Sequence, residues 1–208
     1  MKKIILLGIC IFVPFIGGCN PSASPSASML NYGGHTGKFL IYRVKFNAQA
    51  SNPMKTPFTT GNCTKGPPPR FGCMNFGDGD WGVIIFGFVN ELENNKCGDP
   101  GVQWVITKIE LSNTGDIVTG KGTNFGSAVA TWIQDAFSGV DPLTGILYDQ
   151  TWNDAYTSIG VVNSNNHTAA LGPNDLWYRV TATKCKEDPI THTHATNTSD
   201  PRVENIGK

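Results

Sequence analysis

The sequence predicts a mainly β domain: an antiparallel β-sandwich with one short helix and long disulfide-stapled loops. Three observations lead there. Apolar and polar residues alternate over several short segments, each bounded by Gly, Pro, Asn or Asp. Only one segment repeats its apolar residues at helical spacing. Charged residues make up just 15% of the chain while Gly supplies 24 positions, a composition that suits strands joined by turns better than packed helices.

From Lys38 to Phe46, Leu40, Tyr42, Val44 and Phe46 share one face and Arg43 and Lys45 the other, the pattern of a half-buried strand. Residues 47–80 are rich in Pro, Gly, Asn and Thr and read as one long loop. Trp81 to Val89 is apolar on both faces, as a central strand must be. Val102 to Leu111 is another strand, and its apolar parity switches between Ile106 and Ile109, which predicts a bulge. Asn113-Thr114-Gly115-Asp116 reads as a turn into a strand at Ile117-Val118-Thr119.

Val129, Trp132, Ile133, Ala136 and Phe137 recur at helical spacing, predicting a helix over 127–138 with Ser127 as its N-cap. Short strands follow near Gly145–Tyr148 and Ser158–Asn163. The last strand runs from Leu176 to Lys184, with Leu176, Tyr178, Val180 and Ala182 on one face. Its Leu-Trp-Tyr-Arg-Val-Thr-Ala run loosely resembles an immunoglobulin-like final strand. The sandwich is therefore expected to be immunoglobulin-like or jelly-roll-like, a resemblance that carries no function. Residues 186–208 are polar and aperiodic and read as a disordered tail.

The other end of the chain is an address. Met1-Lys2-Lys3 is a short basic start, and the apolar run from Ile4 to Ile16 is broken only by Gly8, Cys10 and Pro14. Small residues then lead to a cysteine, in the layout of a secretory signal. The run is too short for a transmembrane helix, which needs about 20 apolar residues. Ile16-Gly17-Gly18-Cys19 resembles the lipobox of bacterial lipoproteins. That resemblance implies a signal peptide over 1–18, cut before Cys19, and a diacylglycerol and an acyl chain on Cys19. Several acyl chains anchor stably where one does not. Asn20 in place of Asp after the lipid site implies the outer membrane, in a cell that has one. Residues 19–37, with their Ser/Ala/Pro run, read as a lipidated flexible tether, and 38–185 as a single domain.

Cysteine usage agrees with export. Of the 6 Cys, Cys10 leaves with the signal and Cys19 takes lipid, so Cys63, Cys73, Cys97 and Cys185 remain. An even set in an oxidising compartment implies two disulfides. Of the three pairings open, Cys63–Cys73 with Cys97–Cys185 is favoured: one staples the Pro-rich loop and the other ties mid-chain to the last strand. A four-thiolate zinc site would want Cys-x-x-Cys spacing, which is absent. Loss of Lys2 and Lys3 leaves 14 basic against 16 acidic side chains, a net charge near −2 that argues against nucleic acid as partner.

Candidate chemistry is thin. Gly33-Gly34-His35-Thr36-Gly37-Lys38 has the flavour of a phosphate loop but lacks the first Gly and the final Ser or Thr. Asp78 and Asp80 flank Gly79 and could turn two carboxylates toward calcium, but the ligand set is incomplete, so a plain acidic turn before the strand is favoured and no cofactor is expected. His192 and His194 could face one side of an extended chain and hold a transition metal. No Gly-x-Ser-x-Gly or His-Glu-x-x-His occurs. Trp81, Trp104, Trp132 and Trp177 lie in apolar segments and are expected in the core, whereas Trp152 sits among Asp149, Gln150, Asn153 and Asp154 and is the candidate ligand-binding aromatic.

The leading expectation is a membrane-anchored, non-catalytic binding or structural domain, meeting envelope polysaccharide or protein. A carbohydrate-binding module is the alternative, and a hydrolase using carboxylates or a metal near Asp78 and Asp80 the second. The anchor is checked first: Cys19→Ser should move the protein from the membrane to the soluble fraction, and persistent membrane association would refute lipidation.

Overall fold

The computed structural model describes residues 35–47, 74–88, 95–116, 121–165, 174–199 and 202–205. In chain order its elements are β1 (Phe39–Phe46), β2 (Met74–Phe76), β3 (Trp81–Phe88), β4 (Trp104–Ser112), β5 (Thr114–Asp116), β6 (Lys121–Thr123), α1 (Thr131–Ala136), β7 (Ile146–Asp149), β8 (Ser158–Asn163), β9 (Asn174–Lys184), β10 (Thr196–Ser199) and β11 (Arg202–Asn205). Cys19, Cys63 and Cys73, with residues 19–34 of the tether and most of the Pro-rich loop, lie outside the described residues.

Two sheets form the layers. One runs β1-β3-β8. The other runs β2-β11-β9-β4-β7, with β10 also on β9. Their inner faces meet ring on ring. Phe86 of β3 stands edge-on to Tyr178 of β9 at 5.2 Å, and Tyr42 of β1 meets Phe76 of β2 at 5.1 Å. Alternation places Val44, Phe46, Ile84, Phe86 and Val161 inward from one sheet, against Leu176, Tyr178, Val180 and Ala182 from the other. The fold is a mainly β, predominantly antiparallel sandwich, as its sequence patterning implies.

Two pairs run parallel, β1 with β3 and β11 with β2. Parallel neighbours need a crossover rather than a hairpin. The chain between β1 and β3 supplies one, because it deposits β2 in the opposite sheet. That segment is therefore not all loop, as its Pro and Gly content suggested.

The bulge in β4 falls where parity predicted it. The register against β9 shifts between Ile106 and Lys108, so Ile106 and Ile109 both stay buried. Thr107, displaced by the shift, lies 2.8 Å from the Thr183 hydroxyl.

Helix α1 is shorter than its periodicity. The Val129 N–H donates to the Pro142 carbonyl at 3.0 Å, and Ala130 is extended at the N-cap with no side-chain cap. Ser127 therefore does not cap the helix. The apolar face still packs inward, since Val129, Ile133, Ala136 and Phe137 are buried and Phe137 stacks edge-on to Tyr178 at 6.0 Å. The expected turn at 114–116 is instead β5, paired with β6, and residues 117–120, including Ile117-Val118-Thr119, lie outside the described residues.

Both ends of the domain extend past their sequence limits. His35 is only 9% exposed and stacks on Trp81 at 5.2 Å, so the folded unit begins before Lys38. Thr196–Ser199 and Arg202–Asn205 pair antiparallel with β9, so these parts of the tail are ordered. Such pairing uses main-chain groups and needs no apolar periodicity, which is why polar Thr-Asn-Thr-Ser gave no strand signal.

Cys97 and Cys185 are joined, with Cα atoms 5.3 Å apart and a sequence separation of 88. The bridge ties the segment before β4 to the end of β9. Closing so long a loop stabilises by about 4–5 kcal/mol in the chain-entropy account.

At the centre, Tyr178 is fully buried and no described residue partners its hydroxyl. Burial pushes its phenol well above the ordinary value. An unpaired buried polar group costs roughly 1–3 kcal/mol. Tyr178→Phe should therefore leave stability unchanged or raise it, read as the midpoint of urea unfolding; a clear loss would show that the hydroxyl has a stabilising partner.

Candidate functional site

Asp78 and Asp80 lie in the turn between β2 and β3, and they part company there. Asp80 points into the fold. Its Oδ1 accepts the Lys38 N–H at 2.7 Å and its Oδ2 the Gly77 N–H at 3.2 Å. The Gly37 N–H donates to the Gly79 carbonyl at 3.1 Å, and the Asn165 side-chain amide to the Gly77 carbonyl at 2.9 Å. Gly79 has φ +69°, and a Cβ on Gly37 would collide with the Asp80 backbone nitrogen, so both positions need Gly. Asp78 is exposed. Asp80 thus locks the turn to the start of β1, and the phosphate-loop-like Thr36-Gly37-Lys38 is packing material for that lock. Among the described residues no three His, Cys, Asp or Glu side chains are grouped to hold a metal ion.

The His192–Thr193–His194 run does not converge on a metal either. Its loop is shaped by Asp188, whose Oδ1 accepts the N–H groups of Ile190 at 2.8 Å and Thr191 at 2.9 Å. The Thr191 and Ile190 N–H groups hold the Asp188 carboxyl below the usual carboxylate range. His192 takes a left-handed backbone at φ 52° and sends its ring to Glu187, 3.2 Å away. His194 turns elsewhere: its Nδ1 lies 2.8 Å from the Lys184 carbonyl, which makes Nδ1 the protonated, donating nitrogen.

That places the His194 ring on Trp152. The two rings stack with centroids 4.2 Å apart and planes 26° from parallel. Trp152 stays 38% exposed. Its own loop is braced by the Ala155 N–H to the Thr151 carbonyl at 3.0 Å, the Thr151 hydroxyl to Asp154 at 3.0 Å and the Gln150 N–H to the Thr107 carbonyl at 2.9 Å. Thr151 also bonds Asn153. Of the other tryptophans, Trp104 and Trp177 are buried, and Trp81 and Trp132 are half-buried.

The ends of β4 and β9 carry more binding groups. A pocket of about 420 Å³ is lined by Val102, Gln103, Lys184, Cys185 and Lys186. Lys184 links it to the stack, because its carbonyl holds His194. Lys96 lies over the Tyr156 ring at 4.7 Å. The Cys97–Cys185 bridge fixes the loops beneath. The pole therefore offers an exposed indole, exposed Asn153 and Asp154, and exposed Lys184 and Lys186. Such groups bind by stacking and hydrogen bonding. Sequence reasoning singled out Trp152 and His194 separately, but nothing in sequence joins residues 42 apart. The signal it passed over is Asp188-Pro189, a turn-initiating pair that implies an ordered loop.

Comparison with protein-family models, curated proteins and solved structures finds no match to this chain. Among the described residues no helix is long and apolar enough to cross a membrane.

The two aspartates should separate cleanly on substitution. Asp80→Ala should lower stability by about 1–3 kcal/mol because two N–H groups lose their acceptor, while Asp78→Ala should change it by less than about 0.5 kcal/mol. Calcium should leave the wild-type melting temperature unmoved; a calcium-dependent rise abolished in Asp80→Ala would restore the metal reading.

Proposed function

We propose that this protein is a lipid-anchored, extracytoplasmic binding protein without catalysis, and that its binding surface is the pole around Trp152. The favoured ligand is a saccharide of the cell envelope. The observation that carries the reading is the Trp152–His194 stack: an indole left exposed in a polar loop, yet held in place by a ring that is itself fixed to the Lys184 carbonyl. A binding side chain immobilised in advance loses little entropy when ligand arrives. An apolar ring plane in a loop with exposed Asn153 and Asp154 suits the apolar face and hydroxyl edge of a sugar ring. The anchor rests on the lipobox-like Ile16-Gly17-Gly18-Cys19. Hydrolysis at Asp78 and Asp80 draws no support, since both Asp80 oxygens are taken by backbone N–H groups.

The test is binding to a panel of immobilised envelope polysaccharides. Wild type should be retained, and Trp152→Ala should weaken retention by roughly tenfold or more, as loss of a central aromatic anchor does, at unchanged melting temperature. His194→Ala should weaken it less, because it frees the indole without removing it. Absence of wild-type retention, or full retention by folded Trp152→Ala, would overturn the reading.

A further inference from the structure

We infer that the outer face of the β1-β3-β8 sheet docks on the membrane that carries the anchor, specifically on an anionic phospholipid surface. The inference rests on the lipid-anchor reading of Cys19.

Strand alternation divides this sheet into a buried face and an outward one. Phe39, Ile41, Arg43 and Lys45 point outward from β1, in register with Trp81, Val83, Ile85 and Gly87 of β3. On the far side Val83 pairs with Val162 and Ile85 with Gly160. The row Ile41-Val83-Val162 thus runs across all three strands, with Phe39 and Trp81 beside it. Phe39 and Trp81 meet edge to face at 4.6 Å, which merges them into one apolar surface. The patch faces solvent: Phe39 is 39% exposed, Ile41 56% and Val162 54%. An antiparallel sandwich ordinarily gives such positions to polar residues, and contiguous exposed apolar area marks an interaction surface.

Two features select a lipid surface as occupant. The first is charge. Along β1 the apolar pair Phe39 and Ile41 is followed by exposed Arg43 and Lys45, which alternation places on the same outward face. Apolar side chains entering the headgroup region beside cations is the arrangement that binds anionic bilayers. The second is distance. Phe39 follows the lipid-bearing Cys19 by 20 positions. Whatever its conformation, such a stretch spans at most about 70 Å. The bilayer is therefore always within reach, and tethering raises its effective concentration so that a weak surface suffices.

The test uses the lipidated full-length protein reconstituted into vesicles with brominated acyl chains, which quench nearby tryptophan. Trp81 is the reporter, isolated as the difference between wild type and Trp81→Phe. In phosphatidylcholine vesicles with about 30% phosphatidylglycerol, Trp81 emission should be quenched, and raised salt should relieve part of it. Phe39→Thr/Ile41→Thr, which keeps strand-forming residues at exposed positions, should abolish the quenching while near-ultraviolet circular dichroism stays native. Unquenched Trp81 in a protein that still floats with the vesicles would overturn the docking and leave the anchor intact. A protein that fails to float would overturn the anchor reading, and the docking with it. Dimerisation of the Cys19→Ser chain, reversed by the same double substitution, would assign the face to a second copy and also overturn the proposal.

Discussion

The pairing of β4 with β9 organises this protein. It joins residues 104–112 to 177–184, a long-range pairing in the middle of the larger sheet, and it sets which side chains enter the core. The bulge at Thr107 is its necessary irregularity. Without the register shift, Trp104 and Ile106 would face inward while Ile109 and Leu111 faced out. With it, all four are buried. Tyr178 then stands opposite Phe86 and beneath Phe137, so both the second sheet and the helix connection pack onto this pair.

The same pair builds the candidate binding pole. Where β9 ends, the Lys184 carbonyl receives His194, and Cys185 receives Cys97 from the chain entering β4. The Thr107 carbonyl, at the bulge, accepts the Gln150 N–H and holds the loop that bears Trp152. The groups around the indole are therefore fastened to the most buried part of the sheet. The β1-β3-β8 sheet answers to a different demand. Its inner residues serve the core, while its outer residues remain apolar near the start of β1 and become basic toward its end. The two surfaces thus divide the proposed roles, attachment through one sheet and recognition at the end of the other.

Much of the fold was legible because alternation is a local signal. The strands at 39–46, 104–112 and 174–184 follow from residues two apart and that at 81–88 from an unbroken apolar run, and even the bulge showed as a parity switch within β4. Elements formed by main-chain pairing were not legible. Strands β2, β10 and β11 are short, and the exposed polar β10 has no apolar side to betray it. The Asp78-Gly79-Asp80 turn shows the same limit at a site. Two acids flanking a glycine read identically whether they face a cation or, as Asp80 does, the N–H groups of Gly77 and Lys38.

By itself the sequence determined a β domain, the face each long strand buries, the export-like start ending at Cys19, and the Trp152 loop as the polar setting of an aromatic. These depend on neighbours a few residues apart. Only the tertiary structure decided that β1 lies parallel to β3, that Cys97 meets Cys185, that the tail returns along β9, and that His194 covers Trp152. Each joins segments far apart in the chain, where partners are chosen by which main-chain groups and side chains the packed core leaves exposed and facing one another.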